Sequence, residues 1–161
     1  MAKRSKAQTE QTIKQILDEA LKQILSIGYE SMSYTTLSEA TGVSRTGISH
    51  HFPRKAEFLV RLDDDIASIF MNELDFSSVT NLEASWSRAI KQERFCAALR
   101  LFFSLCGYSS KEITMFKAID KARETAASEL GFEGERLFNA LVGRSAVSLL
   151  SQGDAIEAQA A

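Results

Sequence analysis

The feature that most constrains this chain is the stretch from Ser33 to Lys55, SYTTLSEATGVSRTGISHHFPRK. Ser33 and Ser44 are each placed to cap a short helix, because a serine side chain accepts a hydrogen bond from a free backbone N–H at a helix start. Gly42 lies between them and is the residue type at which a helix ends and the backbone turns. The stretch therefore predicts two short helices joined by a tight turn, a helix-turn-helix.

The second of these helices runs from Arg45 to His51 and is about two turns long. At helical spacing, Ile48 faces the protein core. The positions that face largely outward are Arg45, Thr46, Ser49 and His50. This is the form of a recognition helix, whose N-terminal side chains enter the major groove of B-DNA.

A longer motif surrounds this helix and consists of Gly42-Val43-Ser44, Ile48, His51-Phe52-Pro53 and Lys55. It resembles the TetR family of bacterial transcriptional repressors over roughly Ile13 to Leu59. The resemblance implies a DNA-binding head followed by a helical domain that binds an inducer. Where this chain has Ser49, the family usually has a tyrosine that typically contacts a phosphate, so we expect a weaker or differently placed backbone contact here.

The predicted DNA contacts follow from the side chains of this region. Arg45 can donate two hydrogen bonds to guanine O6 and N7, and Gly47 permits close approach of the backbone. His51 is either a phosphate donor or a partly buried packing residue. Including a basic N-terminal arm, the predicted DNA-binding residues are Lys3, Arg4, Thr35, Ser44, Arg45, Thr46, Gly47, Ser49, His50, His51 and Lys55.

Charge is divided unevenly along the chain, although the net charge is only −2. Residues 1–55 hold eight Lys/Arg and five Asp/Glu, which leaves +3, whereas residues 56–161 hold 11 and 16, which leaves −5. A basic N-terminal part joined to an acidic remainder is expected of a protein that binds a polyanion at one end only. An uneven distribution of charged residues that arose by chance would give the same numbers.

Composition is that of an ordinary globular protein, with 45% hydrophobic and 25% charged residues among 161. No apolar run approaches the ~18 to 20 residues of a membrane span, and the N-terminus lacks an apolar signal region. We therefore expect a cytoplasmic protein with no membrane partner. Cys96 and Cys106 form no CxxC pair and are expected to be reduced, buried thiols.

Apolar periodicity predicts helices along the whole chain and no strands, so the expected fold class is all-α. A first helix is expected from about Thr9 to Gly28, and a long connecting helix from Pro53 to about Phe76. Capping boxes predict later helix starts at Thr80 with Glu83 and at Ser109 with Glu112, and Gly131 is expected to close the latter helix.

These elements predict two domains. Residues 1–52 form a three-helix DNA-binding domain with a flexible arm over residues 1–8. Residues 53–161 form a helical regulatory and dimerisation domain, joined to the first by the connecting helix.

An apolar ligand cavity is one interpretation of the aromatic residues in the second domain. The residues predicted to line it are Trp86, Phe95, Phe102, Phe103, Met115 and Phe116. The alternative is that these residues are plain core, which is the more usual role of aromatics at helical spacing.

A homodimer is expected because one small head reads few bases, so that two heads on a palindrome are needed for specificity. The last helix is the candidate interface. Its predicted contact residues are Leu137, Phe138, Leu141, Val142, Ser145 and Leu149. The alternative is that this stripe packs on the body of the same chain.

The favoured function is therefore a dimeric repressor that binds a palindromic DNA operator and is released by a small apolar effector. A DNA-binding regulator controlled by a protein partner is the alternative. We expect no enzyme, because no nucleophile motif, phosphate loop or acid-base pair is present. No cofactor or metal is expected either, since Asp63-Asp64-Asp65 lacks the glycine and glutamate of a calcium loop.

Overall fold

A computed structural model describes residues 6–107 and 116–160, with residues 152–160 described by their backbone alone. Throughout this part of the chain the regular structure is helical, which confirms the predicted all-α fold class. The chain divides into two compact units. We call residues 6–62 the head and residues 63–107 with 117–160 the body, and Phe116 groups with the head.

The head contains four helices in which each of the last three is short. They are α1 (Lys6–Ser26), α2 (Tyr34–Thr41), α3 (Arg45–His51) and α4 (Ala56–Arg61). Helix α1 packs on α2 and α4, and α2 packs on α3. The side chains at the centre of this unit are fully or almost fully buried and include Ile16, Ala20, Leu37, Ile48, Phe52 and Phe58.

Helix α1 ends close to Gly28, as predicted, but it begins before the predicted Thr9. Gly28 follows the helix in a left-handed conformation (φ 87°), which glycine adopts without steric cost. At the start, residues 6–8 of the predicted flexible arm are already helical. Lys3 and Arg4, the predicted arm contacts, lie outside the described residues.

The predicted connecting helix from Pro53 to Phe76 is wrong, because two helices replace it. Helix α4 ends at Arg61, and α5 (Asp63–Glu73) begins after Leu62. Three carboxylates occupy the first turn of α5, where they interact favourably with the positive end of the helix dipole. Asp63 also accepts a hydrogen bond from the backbone N–H of Lys117 (2.6 Å), and Asp64 forms an ion pair with Lys121. The acidic run thus starts a new helix.

The body contains α5 and three further helices, which are α6 (Val79–Ala89), α7 (Glu93–Leu105) and α8 (Ala118–Ala160). The predicted capping box at Thr80 and Glu83 is wrong. Ser78 caps α6 by accepting a hydrogen bond from the backbone N–H of Asn81 (3.1 Å), and Glu83 forms an ion pair with Arg144 of α8 (3.1 Å).

Helix α8 packs on all three other helices of the body and is interrupted once. Its predicted capping box at Ser109 and Glu112 lies outside the described residues. Because Phe116 and Lys117 are not helical, the helix begins later than that box predicts. Gly131, the predicted end, has a non-helical, left-handed conformation (φ 65°, ψ −156°) and separates an N-terminal limb from a C-terminal limb.

An aromatic cluster fills the centre of the body. The Trp86 ring meets Phe95 and Phe138 edge to face, with centroid distances of 5.2 and 5.4 Å, and Phe70 lies 5.3 Å from Phe95. Inside this cluster the Trp86 Nε1–H donates a hydrogen bond to Ser145 Oγ (3.0 Å). The indole N–H is thereby satisfied where no water reaches it, so α6 and the C-terminal limb of α8 are fixed in register.

Only one of the two cysteines behaves as predicted. Cys96 is buried, and burial raises the pKa of its thiol, whereas Cys106 is exposed at the end of α7. Among the described helices, none is both long enough and apolar enough to cross a membrane.

Gly134 provides a test of the packing at the α8 interruption. A Cβ atom at this position would lie 2.3 Å from Leu130 Cβ and 2.5 Å from the Ala126 carbonyl oxygen, so Gly134→Ala forces the two limbs apart. We expect it to lower the free energy of unfolding by about 1–3 kcal/mol, measured by urea denaturation followed by circular dichroism.

Gly143 is the matched control, because it lies in the same helix and a Cβ atom at this position would have no neighbour within 4 Å. Gly143→Ala should raise the free energy of unfolding by about 0.5–1 kcal/mol. Equal effects of the two substitutions would contradict the close packing at Gly134.

Candidate DNA-binding surface

Helix α2 is bounded by the residues that the sequence predicted. Ser33 Oγ accepts a hydrogen bond from the Thr36 N–H (3.1 Å), and Thr36 Oγ1 accepts one from the Ser33 N–H (2.9 Å), which completes a capping box. Gly42 ends the helix with φ 72° and donates its N–H to the Ser38 carbonyl (2.9 Å). The tight turn between α2 and α3 therefore depends on Gly42.

Helix α3 is likewise capped and anchored as predicted. Ser44 Oγ accepts a hydrogen bond from the Gly47 N–H (3.1 Å), and Ile48 is fully buried. A Cβ atom on Gly47 would lie 3.2 Å from both Ser44 Oγ and Val43 Cγ1. Gly47 therefore keeps the cap of α3 uncrowded, a role inside the chain that is additional to the predicted approach to DNA.

The outer face of α3 carries the polar residues that the periodicity placed there. Among the predicted DNA-binding residues that the structure describes, the exposed ones are Thr35, Ser44, Arg45, Thr46, Ser49 and His50. His51 is half-buried, with its ring 5.3 Å from that of His50. Ser49 donates its hydroxyl to the Thr46 carbonyl (3.2 Å), so this short side chain is engaged with its own helix.

Arg45 differs from the other basic side chains of the head. Lys6, Lys14, Lys22 and Arg54 each form an ion pair with a carboxylate three or four residues away. The Arg61 guanidinium lies 5.7 Å from the Phe52 ring. Among the described residues, no carboxylate lies within ion-pair distance of Arg45. Its planar fork of donors is therefore available for a bidentate partner.

The end of α3 is held by an aromatic contact that the sequence suggested only in outline. Phe52 is buried and stacked on Phe58 at a centroid distance of 4.4 Å. Tyr34 lies beside them and donates its hydroxyl to the Phe52 carbonyl (2.7 Å). Burial, and secondarily the Glu57 carboxylate, raises the pKa of Tyr34, which keeps this hydroxyl protonated. Phe52 thus belongs to the core of the head, and the half-buried Tyr34 is fixed at its edge.

A polar network that the sequence patterns do not predict lies under α2. Gln23 of α1 is almost fully buried, accepts the Thr36 hydroxyl (2.6 Å) and donates to Glu19 Oε1 (2.9 Å) and the Thr36 carbonyl (3.2 Å). Since Thr36 also completes the capping box, Gln23 fixes the start of α2 against α1. A signal was present, because Gln23 lies one heptad after Ile16 on the buried stripe of α1.

Lys55, one of the predicted DNA-binding residues, is half-buried and contacts the turn before α2. Its ammonium group donates a hydrogen bond to the Glu30 carbonyl (2.9 Å) and lies 4.6 Å from the centroid of the Tyr29 ring. Burial lowers the pKa of Lys55, and the Glu30 carboxylate acts in the opposite direction. Lys55 thus connects the turn before α4 to the turn before α2.

Four of the six residues predicted to line a ligand cavity lie in the described part of the body. Trp86 and Phe95 are buried in the aromatic cluster, and Phe102 and Phe103 are half-buried with ring centroids 5.5 Å apart. Phe116 groups with the head, and Met115 lies outside the described residues. A cavity of about 170 Å3 borders Phe95 between α5 and the start of α7. Its lining residues are Ser68, Ile69, Asn72, Glu73, Gln92, Arg94 and Phe95.

Most of the predicted dimer stripe packs inside the body, which is the alternative that the sequence left open. Four of its residues are buried against the chain's own helices, namely Phe138, Leu141, Ser145 and Leu149. Leu137 and Val142 are half-buried at the edges of this stripe. The other side of the same limb carries exposed apolar residues, because Val147 is 66% and Leu150 is 72% exposed.

Two family models match the sequence in succession. Residues 16–62 match the model described as bacterial regulatory proteins, tetR family. Residues 63–149, more than half of the chain, match the model described as the tetracycline repressor LuxT C-terminal domain. No curated protein matches the sequence significantly.

Gln23 provides a test of how α2 is positioned. Gln23→Leu removes an almost fully buried amide and leaves the part-buried Thr36 carbonyl without its side-chain donor, so we expect the free energy of unfolding to fall by about 1–3 kcal/mol in urea denaturation. Gln15→Leu on the same helix is the control, because Gln15 also donates to a carbonyl of α2, that of Thr41 (3.0 Å), from an exposed position. A loss at Gln15 as large as that at Gln23 would contradict the importance of burial.

Proposed function

Since the chain belongs to the TetR family of bacterial regulators and is thus a DNA-binding transcriptional regulator, we propose that it is a dimeric repressor of a palindromic operator. The observation that carries this proposal is the exposed Arg45 at the first turn of α3, which has no carboxylate of the described residues within ion-pair distance. The finer parts of the proposal are the base contact, the dimer and the effector, and each is supported by a different region.

Arg45 is proposed to read a guanine through O6 and N7, with Thr46 and His50 beside it on the same exposed face. Thr35, Ser44 and His51 are proposed phosphate contacts, together with the arm residues Lys3 and Arg4. Ser49 is proposed to contribute little, since its hydroxyl is used within α3.

Arg45→Ala should reduce affinity for the operator by roughly 5- to 150-fold, because a bidentate guanine contact contributes about 1–3 kcal/mol of discrimination. The operator is first selected from genomic fragments with purified protein, and binding is then measured by gel shift on operator and random DNA. Arg54→Ala is the control, because it removes a nearby exposed arginine that is paired with Glu57 (3.1 Å). Equal losses on both DNAs for Arg45→Ala would contradict base reading.

The proposed dimer interface lies on the exposed side of the C-terminal limb of α8. Large apolar side chains that are two-thirds or more exposed are costly in a monomer, and Val147 and Leu150 are neighbours at helical spacing. An isologous contact between two copies of this face would bury all four side chains. This face replaces the buried stripe as the proposed interface.

Leu150→Asp should shift the protein from dimer to monomer, because it places a charge in the proposed apolar interface. Sedimentation velocity gives the species, and Ser148→Asp, also exposed on α8, is the control that adds the same charge. A Leu150→Asp protein that sediments like the wild type would remove this interface from the proposal.

The effector is proposed to be a small molecule with an apolar part that binds the cavity beside Phe95. Its polar edge is defined by Gln92, which donates a hydrogen bond to Glu73 Oε2 (2.7 Å). Control by a protein partner is the second candidate, and the exposed Phe132 side chain, which the proposed dimer face does not use, favours it.

A thermal-shift screen distinguishes these two candidates, because a ligand that binds only the folded state stabilises it by mass action. An effector should raise the melting temperature of the wild type and release operator DNA. It should have little effect on Ser68→Phe, in which the new ring occupies the cavity. If no compound of a broad library raises the melting temperature, or if a compound stabilises the wild type and Ser68→Phe equally, this cavity is not the effector site.

A further inference from the structure

Two turns of the head meet at one side chain. The turn between α1 and α2 contributes the Tyr29 ring and the Glu30 carbonyl, and the turn between α3 and α4 contributes Lys55. Tyr29 is only 7% exposed, so its ring is a fixed surface. We propose that Lys55 is a positioning residue that holds the recognition helix through this contact, and that it does not act by binding a DNA phosphate.

The contacts of the ammonium group support this role. A lysine that binds a DNA phosphate contributes affinity through its charge and through the counterions that are released, and its ammonium group must be free to reach the phosphate. The Lys55 ammonium instead has one N–H directed at the Glu30 carbonyl (2.9 Å) and lies over an aromatic face, where a cation–π interaction adds to the hydrogen bond. The side chain is partly buried, which lowers the pKa of Lys55 and agrees with these contacts.

The position of Lys55 in the chain explains why this contact affects α3. Phe52, whose carbonyl accepts the Tyr34 hydroxyl (2.7 Å), caps the end of α3 three residues before Lys55. The segment that leaves the recognition helix is therefore held at two points, by Tyr34 of α2 and by the turn at Tyr29 and Glu30. A helix of seven residues cannot hold its own direction, so these two points, together with the Ser44 cap and the buried Ile48, set the angle at which Arg45 is presented.

The proposal rests on DNA binding by the head, and the salt dependence of binding separates the two roles. Each phosphate contact contributes about 0.9 to the slope of log K against log salt concentration. Loss of a phosphate contact should lower this slope by about 0.9. Loss of a positioning contact should weaken operator binding at every salt concentration and leave the slope unchanged.

The main variant is Lys55→Met, which keeps an aliphatic stem over Tyr29 and removes the charge and the donor. We expect at least a fivefold loss of operator affinity, an unchanged salt slope and a lower urea midpoint by circular dichroism. Lys55→Arg should restore all three toward wild type, because it keeps a cationic donor. Lys14→Met is the control for charge alone, since Lys14 is exposed and paired with Asp18 (2.6 Å).

Two results would overturn the proposal. One is a salt slope that falls by about 0.9 for Lys55→Met while the urea midpoint stays at the wild-type value. The other is operator affinity that does not change. If Lys55→Met does not fold, Lys55→Gln, which removes the charge and keeps an amide donor, is measured in the same way.

A second measurement needs no DNA and so distinguishes failure of this proposal from failure of the proposed operator recognition. Tyr29→Leu and Lys55→Met are combined, and the shifts of the urea midpoint are compared. If the two residues act as one contact, the double variant shifts the midpoint by less than the two single shifts together. Additive shifts would show that the contact does not hold the turn.

Discussion

The recognition helix is too short to be stable alone, and the design of the head follows from this constraint. Helix nucleation is unfavourable, and isolated helices of fewer than about 12–15 residues are marginal in water. Helix α3 has seven residues, and its neighbour α2 has eight. Their direction is therefore set by caps, by the buried Ile48 and by the contacts that hold Phe52. The long α1 serves as the support on which these short pieces are assembled.

Polar contacts in the head occur where orientation matters most. Apolar burial of Ile16, Leu37 and Ile48 holds the three helices together but is not directional. The hydrogen bonds from Gln23 and Tyr34 add direction, because each requires a particular donor and acceptor at a particular distance. Direction is what a DNA-reading helix needs, since a small rotation would move Arg45 away from a base edge.

The fold of the head was predictable from local sequence, because its signals act over a few residues. Ser33, Gly42 and Ser44 act on the backbone next to them, and Ile48 follows from helical periodicity. The break at Leu62 was not predictable in this way, because the apolar positions continue across it without a change of period. That break is associated with contacts from Asp63 and Asp64 to residues more than 50 positions later.

The candidate interface shows the same limit of sequence reasoning. The stripe from Phe138 to Leu149 has an apolar period that suits either an internal or an external partner. Only the fold shows that Trp86 meets Ser145 on this stripe, which turns it inward and leaves Leu150 outside. Ser145, a polar residue on an apolar face, was the sequence clue that an internal donor was near. The exposed face carried no comparable signal.

The fluorescent side chains of the head differ from those of the body. Trp86 is the single tryptophan of the sequence and lies in the body, whereas Tyr29 and Tyr34 lie in the head. Indole emission depends on the polarity of its surroundings, and here the indole is enclosed by Phe95, Phe138 and one hydroxyl. Its emission therefore reports on the interior of the body, whereas two of the three tyrosines of the sequence lie in the head and report on the surroundings of the recognition helix.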